Sequence, residues 1–214
     1  MKITKLGHCC LLIEINGMRI VTDPGVYAAE QEQFSNVDAV LITHEHPDHF
    51  HLDSLKKILQ NSPNPDLKII TNRSVAKLLE PEGIAYVLVE HGQSFSIEGK
   101  VTVEGFGTKH AEILPSISPA DNTGYFVDNK FFYPGDAFTI PGKPVEVLAL
   151  PVAGPWLKIS ESIAYAENIK PKACFPVHDG NLKTAGVHHT LPQNVLSVKG
   201  IKFIIPTDQQ AMEF

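Results

Sequence analysis

Residues 43–50 read T-H-E-H-P-D-H-F and follow directly on the apolar run Val37-Asp38-Ala39-Val40-Leu41-Ile42. That run is short, rich in β-branched residues and bounded by polar ones, which is the pattern of a buried strand. Pro47 lacks an N–H and clashes with the turn before it, so no helix continues through the cluster. The helical zinc-protease arrangement needs a second histidine four positions after the first. Position 48 is aspartate, so that arrangement is excluded. The stretch is therefore a loop at the C-terminal end of a strand. It carries three imidazoles and two carboxylates on one tight piece of backbone. Neutral imidazole and carboxylate are ligands that zinc, iron and manganese accept. The alternative is a solvated polar loop, which so dense a set of ligand-type side chains argues against.

The flanking sequence supplies the scaffold. Runs at 3–6, 11–15 and 18–22 predict a β-meander, the last two joined by Asn16-Gly17, a type I′ hairpin signal. The third strand ends at Asp23-Pro24-Gly25, a turn that leaves a carboxylate at a strand terminus. Leu52, Leu55, Ile58 and Leu59 recur at helical spacing, with Asp53 or Ser54 as cap and Asn61-Ser62-Pro63 as stop. A strand at 67–70 precedes a second helix marked by Val75, Leu78 and Leu79 and closed by Pro81 and Gly83. Further strands are expected at 85–89, 94–97, 101–106, 124–127, 130–133 and 145–150, with a long polar surface loop at 112–123. Ile159, Ile163, Ala166 and Ile169 form a helical stripe, capped by Ser160 and ended by Lys170-Pro171. Strands at 173–175 and 201–205 follow, and 209–214 is a shorter candidate.

Composition narrows the function classes. At 214 residues, with 43% hydrophobic and 20% charged residues, the chain has ample material for a core. The net charge is −6 and Lys56-Lys57 is the only adjacent basic pair, which argues against a polynucleotide partner. An acidic substrate remains open, because a metal can hold it. The three cysteines, Cys9, Cys10 and Cys174, include an adjacent pair and have no zinc-finger spacing, so they read as small buried residues. No stretch approaches membrane-spanning length and no signal-like leader opens the chain, so a reducing cytoplasm is expected.

Asp23, the cluster at 44–49, His110, Asp136 and His178 each follow the end of an expected strand. Side chains so placed can converge on one rim of a rigid scaffold. The pattern His44-x-His46-x-Asp48-His49, followed by isolated His110, Asp136 and His178, resembles the metallo-β-lactamase superfamily over essentially the whole chain. Leu6-Gly7-His8, Gly135-Asp136 and Pro176-Val177-His178 resemble its small UlaG-like branch of cytoplasmic hydrolases. The resemblance implies an α/β fold of α+β character. Its form would be a four-layer αββα sandwich, a single domain over 1–214 with similar halves near 1–110 and 111–214. It implies two divalent metal ions, zinc first and manganese or iron as alternatives.

In the family's scheme His44, His46 and His110 hold one ion, Asp48, His49 and His178 the other, and Asp136 bridges them. Such a pair generates a hydroxide nucleophile near neutral pH, which Asp48 would also orient. Asp23 is implied as an acceptor that fixes a ligand imidazole or the motif loop. Where antibiotic-destroying members of one class carry cysteine, this chain has Asp136, which disfavours β-lactam hydrolysis. His46 stands where diiron redox members carry glutamate, which favours a hydrolase. Asp179-Gly180 replaces an aromatic residue that many UlaG-like relatives carry. The implied activity is hydrolysis of a small ester, lactone, amide or phosphodiester. An RNA-cleaving phosphodiesterase and a non-catalytic metal-binding protein are the alternatives.

Read singly, several candidates also have structural explanations. His110 and His178 could be surface histidines, and Asp136 an ordinary turn residue. His8 could enter a substrate pocket as a proton donor or be structural. Trp156, the only tryptophan, could line a pocket or pack in the core. His188-His189 reads as a solvated loop that could serve a leaving group, and His51 and His91 read as surface residues.

Overall fold

The computed structural model describes residues 1–28, 34–207 and 209–214. The chain opens with β1 (Lys2–Lys5), β2 (Leu11–Ile15) and β3 (Met18–Thr22), paired antiparallel in turn. The β2–β3 hairpin turns on Asn16 and Gly17, whose φ angles of 50° and 76° are the left-handed values that turn demands. Three strands then join in parallel: β4 (Ala39–Ile42), β5 (Lys68–Thr71) and β6 (Val87–Leu88). Parallel neighbours need crossover connections, which α1 (Leu52–Asn61) and α2 (Arg73–Leu79) provide. β14 (Ala211–Glu213) returns to pair with β1, giving the order β14-β1-β2-β3-β4-β5-β6.

The second sheet begins with an antiparallel meander of β7 (Ser94–Ile97), β8 (Val101–Phe106), β9 (Gly124–Val127) and β10 (Phe131–Tyr133). It continues in parallel through β11 (Val147–Pro151), β12 (Ala173–Val177) and β13 (Lys202–Phe203), crossed by α3 (Ile159–Ile169) and α4 (Val187–Ser197). The two sheets meet through residues such as Ile13, Leu41, Val103, Tyr125 and Phe175. α1 and α2 cover the outer face of the first sheet, and α3 and α4 that of the second, so the layers run αββα.

This layering explains why the strands read as unbroken apolar runs. Ala39 and Leu41 of β4 face the inter-sheet core while Val40 and Ile42 face the helices, so both sides are buried. Truncating fully buried Leu41 to alanine costs about 2–5 kcal/mol on the usual scale for such cavities.

Strand direction is what assembles the site. β1 and β3 run in the same direction because both pair antiparallel with β2, and β4 and β5 follow β3 in parallel. Likewise β8, β10, β11 and β12 share one direction. The C-terminal ends of each set therefore open on one edge of their sheet.

Several details depart from the sequence reading. The sheets divide between β6 and β7, not near residue 110, because the β7–β8 hairpin pairs with β9. The N-cap position of α1 is His51, not Asp53 or Ser54, and its ring makes no bond to the helix backbone, its Nδ1 lying instead 2.9 Å from Ser54 Oγ. α3 is capped from Lys158, whose backbone N–H donates to Glu161 Oε2 at 2.7 Å, and not from Ser160. β12 runs through Pro176 to Val177, because β13 reaches only as far as Cys174 and demands no amide from the proline. His188 and His189 lie in the first turn of α4, not in a loop.

Candidate metal centre

Asp23 follows β3, residues 44–49 follow β4, and His8 lies beyond β1. His110, Asp136 and His178 follow β8, β10 and β12. The motif loop closes on itself as a single turn, His49 and Phe50 donating their N–H groups to His46 O at 2.9 and 2.8 Å. Gly25 lets the β3 turn press against it: a Cβ there would lie 1.9 Å from Asp48 O. Asp23 and His178 hold left-handed backbones, φ 36° and 65°, a strain that surrounding bonds must maintain.

The structure brings the seven candidate ligands together. The ligand atoms of His44, His46 and His110 lie within 4.8 Å of one another, as do those of His8, Asp48, His49 and His178. Asp136 stands between the two groups. Its Oδ1 lies 3.1 Å from His49 Nε2, and its Oδ2 lies 3.3 Å from His110 Nε2 and 2.8 Å from His178 Nε2.

Asp23 is fully buried and works from behind. Its Oδ1 accepts the Thr43 N–H at 2.8 Å, and its Oδ2 accepts the hydroxyls of Thr43 and Tyr133, each at 2.6 Å. That Oδ2 also lies 2.7 Å from His49 Nδ1. A carboxylate only accepts, so the His49 proton toward it sits on Nδ1. The Ala111 carbonyl, 2.5 Å from His110 Nδ1, imposes the same on His110. The Thr43 hydroxyl is already donated to Asp23, so it accepts from His44 Nδ1 at 3.0 Å. All three rings thus turn Nε2 toward the centre.

What those atoms find there tests the fit of a cation. Among the described residues, Nε2 of His49, His110 and His178 and Oδ1 of Asp136 are buried without a hydrogen-bond partner. Each such atom costs about 1–3 kcal/mol if left unsatisfied. Imidazole nitrogens and carboxylate oxygens in this arrangement suit a divalent metal ion.

The electrostatics agree. Burial opposes charge on His49, yet Asp136 and Asp23 override it and hold the imidazole pKa well above its ordinary value. Burial also opposes charge on Asp136, but His49 and His178 keep its carboxyl well below the usual range. Asp48 behaves alike: burial pushes up, while His8, His49 and His178 bring it down to about 2. Burial, reinforced by neighbouring imidazoles, lowers His44 and His46. The site holds carboxylates ionised and demands positive charge among them.

Two residues that the sequence did not single out, Asn122 and Asn72, also take part. Asn122 Oδ1 accepts the Asp136 N–H at 3.0 Å, while its Nδ2 donates to Pro134 O at 2.9 Å. Asn72 caps α2 and also donates to Thr43 O at 2.7 Å, tying that helix to the motif loop. Trp156 is buried; its indole N–H donates to Asp136 Oδ2 at 2.9 Å and its ring packs on Phe138. It thus joins core packing to the centre and does not present an open pocket wall. His189 Nε2 lies 2.6 Å from Asp179 Oδ2, and Lys5 binds the other oxygen of that carboxylate. His188 pairs with Val152 O at 2.7 Å, so neither histidine of α4 is free in solvent. His51 is partly buried, whereas His91 is exposed and accepts the Gly107 N–H at 3.2 Å.

Comparison with known proteins bears on the same site. The family described as Beta-lactamase superfamily domain matches residues 2–178. A protein of Mycobacterium tuberculosis is 36% identical over 83% of this chain and 84% of its own. The UPF0173 protein of Pyrococcus abyssi is 30% identical over 84% of each chain. A Nanoarchaeum equitans relative, 25% identical over 83% of each, bears the name UPF0173 metal-dependent hydrolase. Igni18, a metallo hydrolase from Ignicoccus hospitalis, shares the fold with a TM-score of 0.77, at 19% identity over 100% of this chain and 98% of that one. No helix among the described residues is long and apolar enough to cross a membrane. The chain belongs to the metallo-β-lactamase superfamily, in the UPF0173 group of its UlaG-like metal-dependent hydrolases.

Proposed function

We propose that this chain is a hydrolase with a dinuclear metal centre, most readily zinc, that cleaves a small ester, lactone or phosphodiester. The observation that carries the reading is Asp136, wedged among His49, His110 and His178, whose buried Nε2 atoms lack hydrogen-bond partners. His44, His46 and His110 would hold one ion and Asp48, His49 and His178 the other, with Asp136 shared. When bound, two such ions supply Lewis acidity, activating water and polarising the oxygen of the scissile group.

The residues of the chain do the rest. Asp23 and the Ala111 carbonyl fix the imidazole tautomers, and Trp156 and Asn122 fix Asp136. Asp48, with its side chain 23% exposed and its carboxyl ionised, faces the open side, where it can accept a proton or orient the attacking water. A small-molecule substrate is favoured over nucleic acid. Lys56, Lys109, Lys143 and Lys172 each stand 2.6 Å from a carboxylate oxygen, which leaves little basic track for phosphates. The three cysteines are buried and unbridged, in keeping with a reducing cytoplasm.

The test couples metal analysis to a chromogenic panel of phosphodiester, lactone, carboxyl ester and β-lactam substrates. Two ions per chain are expected, with turnover that Asp48→Asn reduces by about 100-fold or more. One ion per chain, or wild-type protein inert across the panel, defeats the reading; the inert result favours a non-catalytic metal-binding protein.

A further inference from the structure

His8 differs from the other histidines of the centre in the direction of its hydrogen bonds. Its ring is fully buried, and its Nδ1 accepts the backbone N–H of Gly180 at 3.0 Å. A backbone amide can only donate, so Nδ1 keeps its lone pair and the neutral ring carries its proton on Nε2. His44, His49 and His110 are arranged the opposite way, each bound through Nδ1–H with the Nε2 lone pair turned inward. His8 Nε2 also points inward, 3.4 Å from Asp48 Oδ2, and has no hydrogen-bond partner.

The surroundings hold that orientation firmly. His178 donates its backbone N–H to His8 O at 3.1 Å, so residues 178–180 grip both the backbone and the ring of His8. Approach is so close that a Cβ on Gly180 would lie 2.6 Å from His8 N. Asp179, between these two contacts, is anchored by Lys5 and by His189. To offer Nε2 as a ligand, His8 would have to move its proton to Nδ1, where it would face the Gly180 N–H donor to donor.

We propose that His8 is a positioning residue that presents a fixed Nε2–H to Asp48 and does not ligate a cation. The inference rests on the dinuclear reading above, in which Asp48 serves the second ion. Asp48 Oδ2 lies 3.4 Å from His8 Nε2, 3.5 Å from His178 Nε2 and 4.0 Å from His49 Nε2, so that one oxygen would accept from His8 on one lone pair and serve the ion with another, as partners that orient ligating carboxylates generally allow. The 3.4 Å separation is longer than a well-formed hydrogen bond. Closure of that gap is the adjustment expected when Asp48 takes up its ligand position.

The decisive measurement is long-range ¹⁵N–¹H correlation of the histidine rings in wild-type protein loaded with ¹¹³Cd²⁺. The expected spectrum shows His8 protonated on Nε2 without cadmium coupling, while Nε2 of His49 and His178 couple to the metal. Cadmium coupling to His8 Nε2, or a proton on its Nδ1, overturns the inference and leaves the dinuclear reading intact. Absence of cadmium binding refutes both. Zinc titration of variants gives a second readout. His8→Phe should weaken the second ion about 10- to 100-fold with the first unchanged, and His8→Gln, which restores an N–H near the same point, should recover most of that loss. Wild-type affinity for both ions in His8→Phe also overturns the proposal.

Discussion

Asp23→Asn isolates what a buried carboxylate behind a ligand histidine does. The asparagine oxygen can still accept the Thr43 N–H, now 2.8 Å from Asp23 Oδ1. Its NH2 group, however, replaces the Oδ2 that receives the Thr43 and Tyr133 hydroxyls and His49 Nδ1. Hydroxyls can rotate to accept instead, whereas His49 must shift its proton from Nδ1 to Nε2. There the proton faces the Asp136 carboxylate, whose Oδ1 is 3.1 Å away. The ring then has no lone pair facing the centre. Three charge-assisted bonds are exchanged for weaker neutral ones, a net loss of about 2–4 kcal/mol of folding stability. For a chain of 214 residues that is a fall in Tm of roughly 5–15 °C. In the proposed dinuclear centre, loss of the inward lone pair of His49 should weaken the second ion about 10- to 100-fold, or about 1.4–2.7 kcal/mol. Urea unfolding and zinc titration against a competing chelator measure the two effects separately. A variant that binds its second zinc as tightly as wild type would refute the tautomer argument, whatever its stability.

Gly25→Ala places a methyl group 1.9 Å from Asp48 O and 2.6 Å from His49 N, both backbone atoms. The β3 turn and the motif loop must separate, at about 3 kcal/mol, and zinc stoichiometry should fall while far-UV circular dichroism stays near wild type. Asp179→Asn tests the Lys5–Asp179–His189 cluster at the edge of the site. Burial raises the Asp179 carboxyl, but the His189 hydrogen bond and the Lys5 ammonium outweigh it and leave the pKa below its ordinary value. A depressed folded pKa contributes stability that is fully present above the unfolded value of about 3.9 and is lost as pH falls through the folded value. The variant, left with an uncompensated Lys5, should lose about 3–5 kcal/mol at neutral pH. Its stability should then change less than wild type's below pH 4. Parallel acid-unfolding curves for the two proteins would contradict this.

How much of this was legible follows from how each feature is encoded. The bounds of β2, β3, β7, β8 and β9 match the apolar runs residue for residue, because alternation and the Asn16-Gly17 turn are local signals. α4 escaped notice because Pro192 interrupts it, two histidines open it, and only Pro192 and Leu196 of its residues are buried. The candidate ligands were visible because each follows a strand. Their partners were not, since Asn122 acts from within a polar loop on Asp136, fourteen positions away. Tyr133 reaches Asp23 across 110 positions. One signal for Tyr133 was available: parity in β10 sets it on the inter-sheet face with Phe131, and a hydroxyl buried there needs an acceptor.

The same encoding separates the residues that hold the candidate centre from the loop residues beside it. Every candidate ligand hangs from the C-terminal end of a strand whose register is set by pairing over buried residues, so its position is an outcome of core packing. Loop residues beside the site carry no such duty. Ile113, Leu114 and Ile117 are exposed on the loop after His110, and Ile113 and Ile117 line a small cavity together with His46 and His110. Exchanging those side chains removes no ladder hydrogen bond, because the β8–β9 pairing from Val103 to Phe106, and its extension through the Lys109–Asp121 bridge and the His110 N–H to Ala120 O, use none of the three residues. Changes at Ile113, Leu114 and Ile117 should therefore cost little in folding, while a change at Asp23, Gly25 or Asn122 strikes the proposed cation site itself.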